Sequence, residues 1–310
     1  MAQWTLRPAA ADDYPAILAL ADAAVPFDLE GNRRWLRYRQ AFDDAQRLRR
    51  HYVATDDVGD VVGYGALEQQ GDDVGRLRVY VVVAPSDLDG VGDTLYRHLW
   101  QEAQALLATR LWAREYGRDE AVLAFFAARG FRETGRLWEM RLTPGEARLD
   151  VFRPRLEAVA AAGVHVTTLA ALEPASRLRL FELAQATSPQ SFTQEAFFGW
   201  LERRAVRPEA YFIAVKDDSF VGHCVLTADD GWPGALMETW TAVRPAYKRQ
   251  GITLSLRVQA IEYARRHGYD TLVGTVDHEN FTMLALNEKL GFQRAFAYVT
   301  QEVDLTQDEQ

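Results

Sequence analysis

Four blocks of sequence recur in the same order in the two halves of the chain. Trp4-Thr5-Leu6, ahead of a helical stretch over 12–24, is matched by Val164-His165-Val166 ahead of 174–187. His51-Tyr52-Val53-Ala54, a turn and Val62-Gly63-Tyr64-Gly65 reappear as Tyr211-Phe212-Ile213-Ala214, a turn and Val221-Gly222-His223-Cys224. Val79-Tyr80-Val81-Val82-Val83-Ala84-Pro85 pairs with Thr239-Trp240-Thr241-Ala242-Val243-Arg244-Pro245. Phe125-Phe126-Ala127-Ala128-Arg129-Gly130-Phe131 pairs with Leu286-Asn287-Glu288-Lys289-Leu290-Gly291-Phe292. The offset between partners stays constant to within a residue. A period this long repeats a whole domain rather than a short solenoid unit of about 20–50 residues.

The duplication predicts two domains, 1–148 and 163–310, joined by 149–162, an Ala-rich segment that reads as a connecting helix. Within each copy the order is strand, helices, strand–turn–strand, long strand, helix, strand, helix, strand. Leu254, Val258 and Ile261 recur at helical spacing, as do Leu95, Leu99, Ala103 and Leu106. Thr271 to Val276 reads as a buried strand. Strands alternating with helices after an early meander give an α/β fold. Each half is expected to hold a mixed, mostly antiparallel central sheet flanked by helices.

Composition narrows the function. No apolar run approaches the roughly 20 residues that span a bilayer, and the N-terminal segment lacks a signal-like charged-then-apolar order. Cys224 is the single cysteine, so neither an internal disulfide nor a thiolate metal cage is expected. A net charge of −9 disfavours nucleic acid and suits a protonated amine. A cytoplasmic enzyme acting on a small molecule, without a metal, is the simplest expectation.

The chemistry concentrates in Val243-Arg244-Pro245-Ala246-Tyr247-Lys248-Arg249-Gln250-Gly251-Ile252-Thr253. A strand ends at Pro245, and a basic turn opens an amphipathic helix. Such a helix start offers unpaired N–H groups and the positive end of the dipole. Gly251 allows close backbone approach, and Lys248 and Arg249 add full charge. A pyrophosphate fits there. Downstream lie Asn280 and then Met283 to Phe292.

From Val243 to Phe292 the chain resembles the acetyl-CoA-binding core of the GNAT acetyltransferases, whose signature is a Q/R-x-x-G-x-G/A turn, an Asn, and a helix ending in Gly-Phe. Lys248 and Thr253 depart from that signature at its two ends. The resemblance covers the second half and, more loosely, the first, so it implies two tandem GNAT-like domains. It implies that backbone at Ala242 and Val243 holds the pantetheine arm. It also implies that Lys248, Arg249, Gln250, Gly251, Ile252 and Thr253 cradle the pyrophosphate, that Asn280 bonds the pantetheine or its thiol end, and that Asn287 belongs to the cofactor-binding set. Acetyl-CoA would be the cosubstrate and a small-molecule primary amine the acceptor.

Glu238, on the long strand ahead of the turn, is the candidate general base. Alternation places it on one face with Leu236 and Trp240, against apolar surface. Asn287 stands where many family members carry an acid tyrosine. Either the thiolate leaves unassisted or through water, or another residue serves, and Tyr298, Tyr263, Cys224 and His278 are chemically able to do so. A non-catalytic acyl-CoA-binding or regulatory protein is the alternative.

The first copy has lost these groups. Its turn, Pro85 to Gly92, carries Asp87 and Asp89 in place of the basic pair. By an offset of 160 or 161 residues Arg78 stands for Glu238, Asp119 lies near the place of Asn280, and Phe126 stands for Asn287. Acceptor choice is expected to lie in the early helices, around 23–50 and 187–209, where Phe197, Phe198 and Trp200 could line a pocket.

Overall fold

A computed structural model describes residues 4–29, 31–33, 48–69, 73, 75–188, 191–203, 205–229 and 231–306. Most of the early helical region expected over 23–50 lies outside the described residues. The chain divides into two compact units. One comprises Met1–Leu137 with Phe296–Gln310, the other Trp138–Ala295. The last strand of the chain thus belongs mostly to the first unit, a long-range exchange that a break between the two copies does not convey.

In the first unit the strands are β1 (Thr5–Pro8), β2 (Arg49–Thr55), β3 (Val61–Gln69), β4 (Arg76–Val83) and β5 (Arg110–Tyr116). Among the described residues three α-helices flank them: α1 (Tyr14–Ala24), α2 (Asp93–Ala105) and α3 (Glu120–Ala127). The strand β6 (Arg132–Leu142) leads into the second unit, where Met140 and Leu142 join its core. There follow α4 (Arg153–Ala161), β7 (Val164–Thr168), α5 (Arg177–Thr187), α6 (Gln194–Leu201), β8 (Val206–Lys216), β9 (Ser219–Ala228) and β10 (Ala235–Val243). The chain ends through α7 (Ile252–Arg266), β11 (Thr271–Asp277), α8 (Phe281–Leu290) and β12 (Gln293–Asp304). The helix α4 lies inside the expected connecting segment.

Sheet order in the first unit is β1-β2-β3-β4-β5-β12, and in the second β6-β11-β10-β9-β8-β7. The pairs β4–β5 and β10–β11 are parallel, whereas β1–β2, β2–β3, β3–β4, β5–β12, β7–β8, β8–β9 and β9–β10 are antiparallel. A parallel pair needs a crossover, and α2 and α7 supply it. The copies agree at single hydrogen bonds. The Gly75 carbonyl accepts from the amides of Thr109 and Arg110, as the Gly234 carbonyl does from Asp270 and Thr271. A Tyr–His pair bridges the meander in both with the residues exchanged: Tyr64 Oη lies 3.2 Å from His51 Nδ1, and Tyr211 Oη 2.8 Å from His223 Nδ1.

Among the described residues no helix is long and apolar enough to cross a membrane.

Candidate active site

The parallel pairing of β10 with β11 runs from Ala235↔Thr271 to Glu238↔Gly274 and stops, although the strands continue to Val243 and Asp277. Beyond Glu238 they part, and the β11-facing edge of β10 has no strand against it among the described residues. Strand edges carry backbone donors and acceptors that an extended amide-bearing chain can pair with. Ala242 and Val243 lie in this open stretch, their other edge paired with His223 and Gly222 of β9.

The strand then turns at Pro245 into α7. Gly251, its N-cap, has φ +85° in the left-handed region, and no side chain caps the helix among the described residues. The first-turn N–H groups therefore remain available to an anion, with the helix dipole favouring negative charge. An added Cβ on Gly251 would sit 2.8 Å from Val159 and 3.1 Å from the Nε of Arg155, so glycine is required on two counts. Arg249 also takes a positive φ, +63°, which for a non-glycine residue stores strain of the kind found at ligand-binding turns. Lys248, Arg249 and Gln250 are exposed, Ile252 is buried and Thr253 half-buried. Arg155 of α4 adds a cation that the expected site lacked; the connecting helix read as structural.

Glu238 is placed differently from the expectation. The β9–β10 register slips between Glu238 and Trp240, so Thr239 is a bulge. The bulge turns Glu238 to the α7 side with Leu236, whereas Trp240 packs with the α5–α6 aromatic group. Its carboxylate has polar partners. Oε2 accepts from Arg257 Nη2 at 2.5 Å and Oε1 from the Thr241 hydroxyl at 2.8 Å. Bulges recur beside functional sites because they re-aim side chains.

Arg257, absent from the expected set, is the hub. It is 2% exposed, donates through Nη1 to Asn287 Oδ1 and to Met283 sulfur, and stacks over Phe292 at 4.9 Å. Its position offered a signal: it sits on the buried stripe of α7 between Leu254 and Ile261.

Asn287 is fully buried, its Nδ2 donating to Met140 sulfur at 3.4 Å. A tyrosine at this position, where many family members carry one, would therefore meet a packed interior. We predict a loss of about 1–3 kcal/mol in folding stability from overpacking, measured by urea unfolding. Unchanged stability would show a cavity here able to take a phenol.

Asn280 accepts from the Met283 amide through its side chain and so caps α8, as Asp119 caps α3 through Val122. That oxygen keeps a second lone pair, and the amide nitrogen can donate to a ligand. Cys224 is completely buried, and burial pushes its thiol well above the usual range, so it is no proton donor near neutrality. Tyr263 stacks on His267 at 4.0 Å toward the far end of α7. His278 is half-buried beside Asp277, and Tyr298 belongs to the first unit.

On the other face, Phe192, Phe197, Trp200 and Trp240 form an aromatic group. Phe197 is core, whereas Phe198 and Trp200 are partly buried. His223, T-shaped against Trp240 at 4.6 Å, is fully buried, and burial drives its pKa down to about 3. The Thr187 hydroxyl donates to the Leu183 carbonyl, so His223 Nε2 carries the proton donated to Thr187 and Nδ1 accepts from Tyr211.

The first unit is an internal control. Its β3–β4 pairing has no slip, so register aligns Glu238 with Val79, not with Arg78 as a constant offset suggests. Leu77↔Leu111 matches Leu236↔Leu272, and two residues onward come Val79 and Glu238. Arg257 corresponds to Tyr96 and Asn287 to Phe126. All three first-copy residues are apolar core, with Tyr96 and Phe126 in edge contact at 6.3 Å. The fold alone does not require the polar trio of Glu238, Arg257 and Asn287. The first-copy turn is a π-helical turn over Leu88–Gly92, and Gly90 is not left-handed.

The family described as "Acetyltransferase (GNAT) family" matches the chain twice, over residues 15–131 and 177–292. A protein named mycothiol acetyltransferase from Rhodococcus erythropolis is 27% identical over 260 residues, 79% of this chain and 81% of its own. One of the same name from Catenulispora acidiphila is 24% identical over 264 residues, covering 80% of each. Among solved structures, a tandem GNAT protein from the clavulanic acid biosynthesis pathway has a TM-score of 0.76 at 19% identity, over 99% of this chain and 100% of its own. A GCN5-related N-acetyltransferase from Sphaerobacter thermophilus has 0.75 at 20%, over 97% and 95%. With both halves matched, the chain belongs to the GNAT family of acetyltransferases.

Proposed function

We propose that the chain moves an acetyl group from acetyl-CoA directly to the primary amine of a small molecule, at the parted strands of the second unit. The observation that carries this reading is the open edge of β10 running into an uncapped, basic helix start. When bound, acetyl-CoA supplies the acetyl group as an activated thioester. The residues present suit it. Lys248, Arg249, Arg155 and the N–H groups from Gly251 to Thr253 suit the diphosphate, and the backbone at Ala242 and Val243 suits the pantetheine amides.

Glu238 takes up the proton released by the amine, through a water at the open strand edge. Both of its oxygens accept one hydrogen bond, and each keeps a lone pair for another. Arg257 holds it in place. Asn287 has no proton to give, so the departing sulfur takes its proton from water. Relatives named mycothiol acetyltransferase favour a small-molecule acceptor over a protein one. A primary-amine panel tested by thiol release should give acceptor-dependent turnover that rises with pH as each amine loses its proton. Thiol release that ignores every amine would contradict the proposal.

A further inference from the structure

We propose that the first unit carries a separate binding site for a small oxyanion, a phosphate or carboxylate group, between Arg78 and Arg114 beside the indole of Trp112. The site does not depend on the function proposed above. Alternation along the strands puts Leu77, Val79, Leu111 and Ala113 into the α2-side core. It turns Arg76, Arg78 and Tyr80 of β4, Trp112 and Arg114 of β5, and Thr300 and Glu302 of β12 to the opposite face. The acidic turn at Asp87 and Asp89 is thus not part of it.

The charges on this face do not balance locally. Arg76 pairs with Glu302, and Arg110 reaches the same carboxylate at 3.6 Å. Arg78 and Arg114 have no carboxylate at salt-bridge distance among the described residues. Glu68, the cross-strand neighbour of Arg78, lies 3.4 Å from His51 instead. Arg78 lies over the Tyr80 ring at 4.1 Å and the Trp112 ring at 4.9 Å; Arg114 lies over Trp112 at 5.3 Å. Arg78 Nη2 donates to the Arg114 carbonyl at 3.2 Å, and Arg114 Nε to the Thr300 hydroxyl at 3.1 Å.

Two donors on this face have no acceptor among the described residues. Arg78 Nε and Trp112 Nε1 are buried without a hydrogen-bond partner among the described residues. Burial, then the charge of Arg78, depresses the pKa of Arg114. Two guanidiniums held together on aromatic faces, with unused N–H edges and an indole N–H beside them, lack one thing: a group with several acceptor oxygens and negative charge. Planar guanidinium forks recognise carboxylate and phosphate through paired hydrogen bonds. Burial makes each such bond worth more than at an open surface.

The test is thermal unfolding of the full chain with inorganic phosphate, and separately with acetate, against sodium chloride at equal ionic strength. A ligand that binds only the folded state raises Tm. We expect a saturable rise of about 2–4 °C with at least one probe, and the responding probe names the group. Arg78→Met and Arg114→Met should abolish the rise. Without added anion each should melt no lower than wild type, because a buried like-charge repulsion has gone. A purely structural arginine would melt lower when replaced.

Phosphate can also reach the Gly251 turn, so Arg249→Glu is the control. Stabilisation lost in Arg249→Glu but kept in Arg78→Met overturns the proposal, as does the absence of any rise with either probe. Should the arginine variants fail to fold, the difference in emission between wild type and Trp112→Phe decides. A saturable change with anion supports the site, and no change refutes it.

Discussion

Glu238→Gln should lose about 3–5 kcal/mol of folding stability and on the order of 10²–10⁴-fold in turnover. The stability loss follows from Arg257, which is 2% exposed and has Glu238 as its carboxylate partner at 2.5 Å. Removing one charge strands the other in the interior. The turnover loss follows if Glu238 receives the amine proton. The single substitution mixes these effects, and the first unit shows how to separate them. The triple variant Glu238→Val, Arg257→Tyr, Asn287→Phe copies the apolar core that the first unit already folds with. Replacing a buried ionic group by well-packed apolar residues is often neutral or stabilising. The triple variant should therefore unfold within about 2 kcal/mol of wild type yet remain as inactive as the single one. Urea unfolding and initial rates on the same preparations check both halves. A stable triple variant with wild-type turnover would remove the trio from the reaction.

Arg249→Glu should raise the KM for acetyl-CoA by about 30-fold or more while leaving the fold intact. Reversing one charge about 4 Å from a phosphate changes the interaction by about 2 kcal/mol even in water, and by more where solvent is excluded; each 1.4 kcal/mol is tenfold in affinity. The side chain is exposed, so little packing is lost. The positive φ at this position is as unfavourable for Glu as for Arg. A KM unchanged by the reversal would move the diphosphate away from this turn.

Much of this was legible in the sequence because it is written in local pattern. The repeated blocks predicted two copies of one α/β unit, and the Pro245–Gly251 segment predicted a strand running into a bare helix start. Asn287, at the acid position, was visible by its distance from Gly291-Phe292. What escaped depended on single residues or on distant partners. Thr239 adds one residue to β10, which flips Trp240 away from Glu238 and shifts the alignment from Arg78 to Val79. An offset between repeats cannot show a bulge. Arg257 reads as a solvated helix arginine until its place between Leu254 and Ile261 is noticed. Arg155 reads as part of a connecting helix, and only folding brings its guanidinium to Gly251. The passage of Phe296–Gln310 into the first unit is a long-range pairing, Tyr298 to Asp304 against Tyr116 to Arg110, with no local cue.

We propose that the two copies divide the work, with the cofactor held by the second alone. Asp87 and Asp89 oppose the helix-dipole attraction for an anion, a term worth roughly 0.3–1 kcal/mol that two carboxylates can cancel. Titration calorimetry of the wild-type chain with CoA, repeated on Asp87→Arg and Arg249→Glu, reads the division directly. The account predicts one site per chain, kept in Asp87→Arg and lost in Arg249→Glu. Two sites of comparable affinity, or full binding by Arg249→Glu, would contradict it.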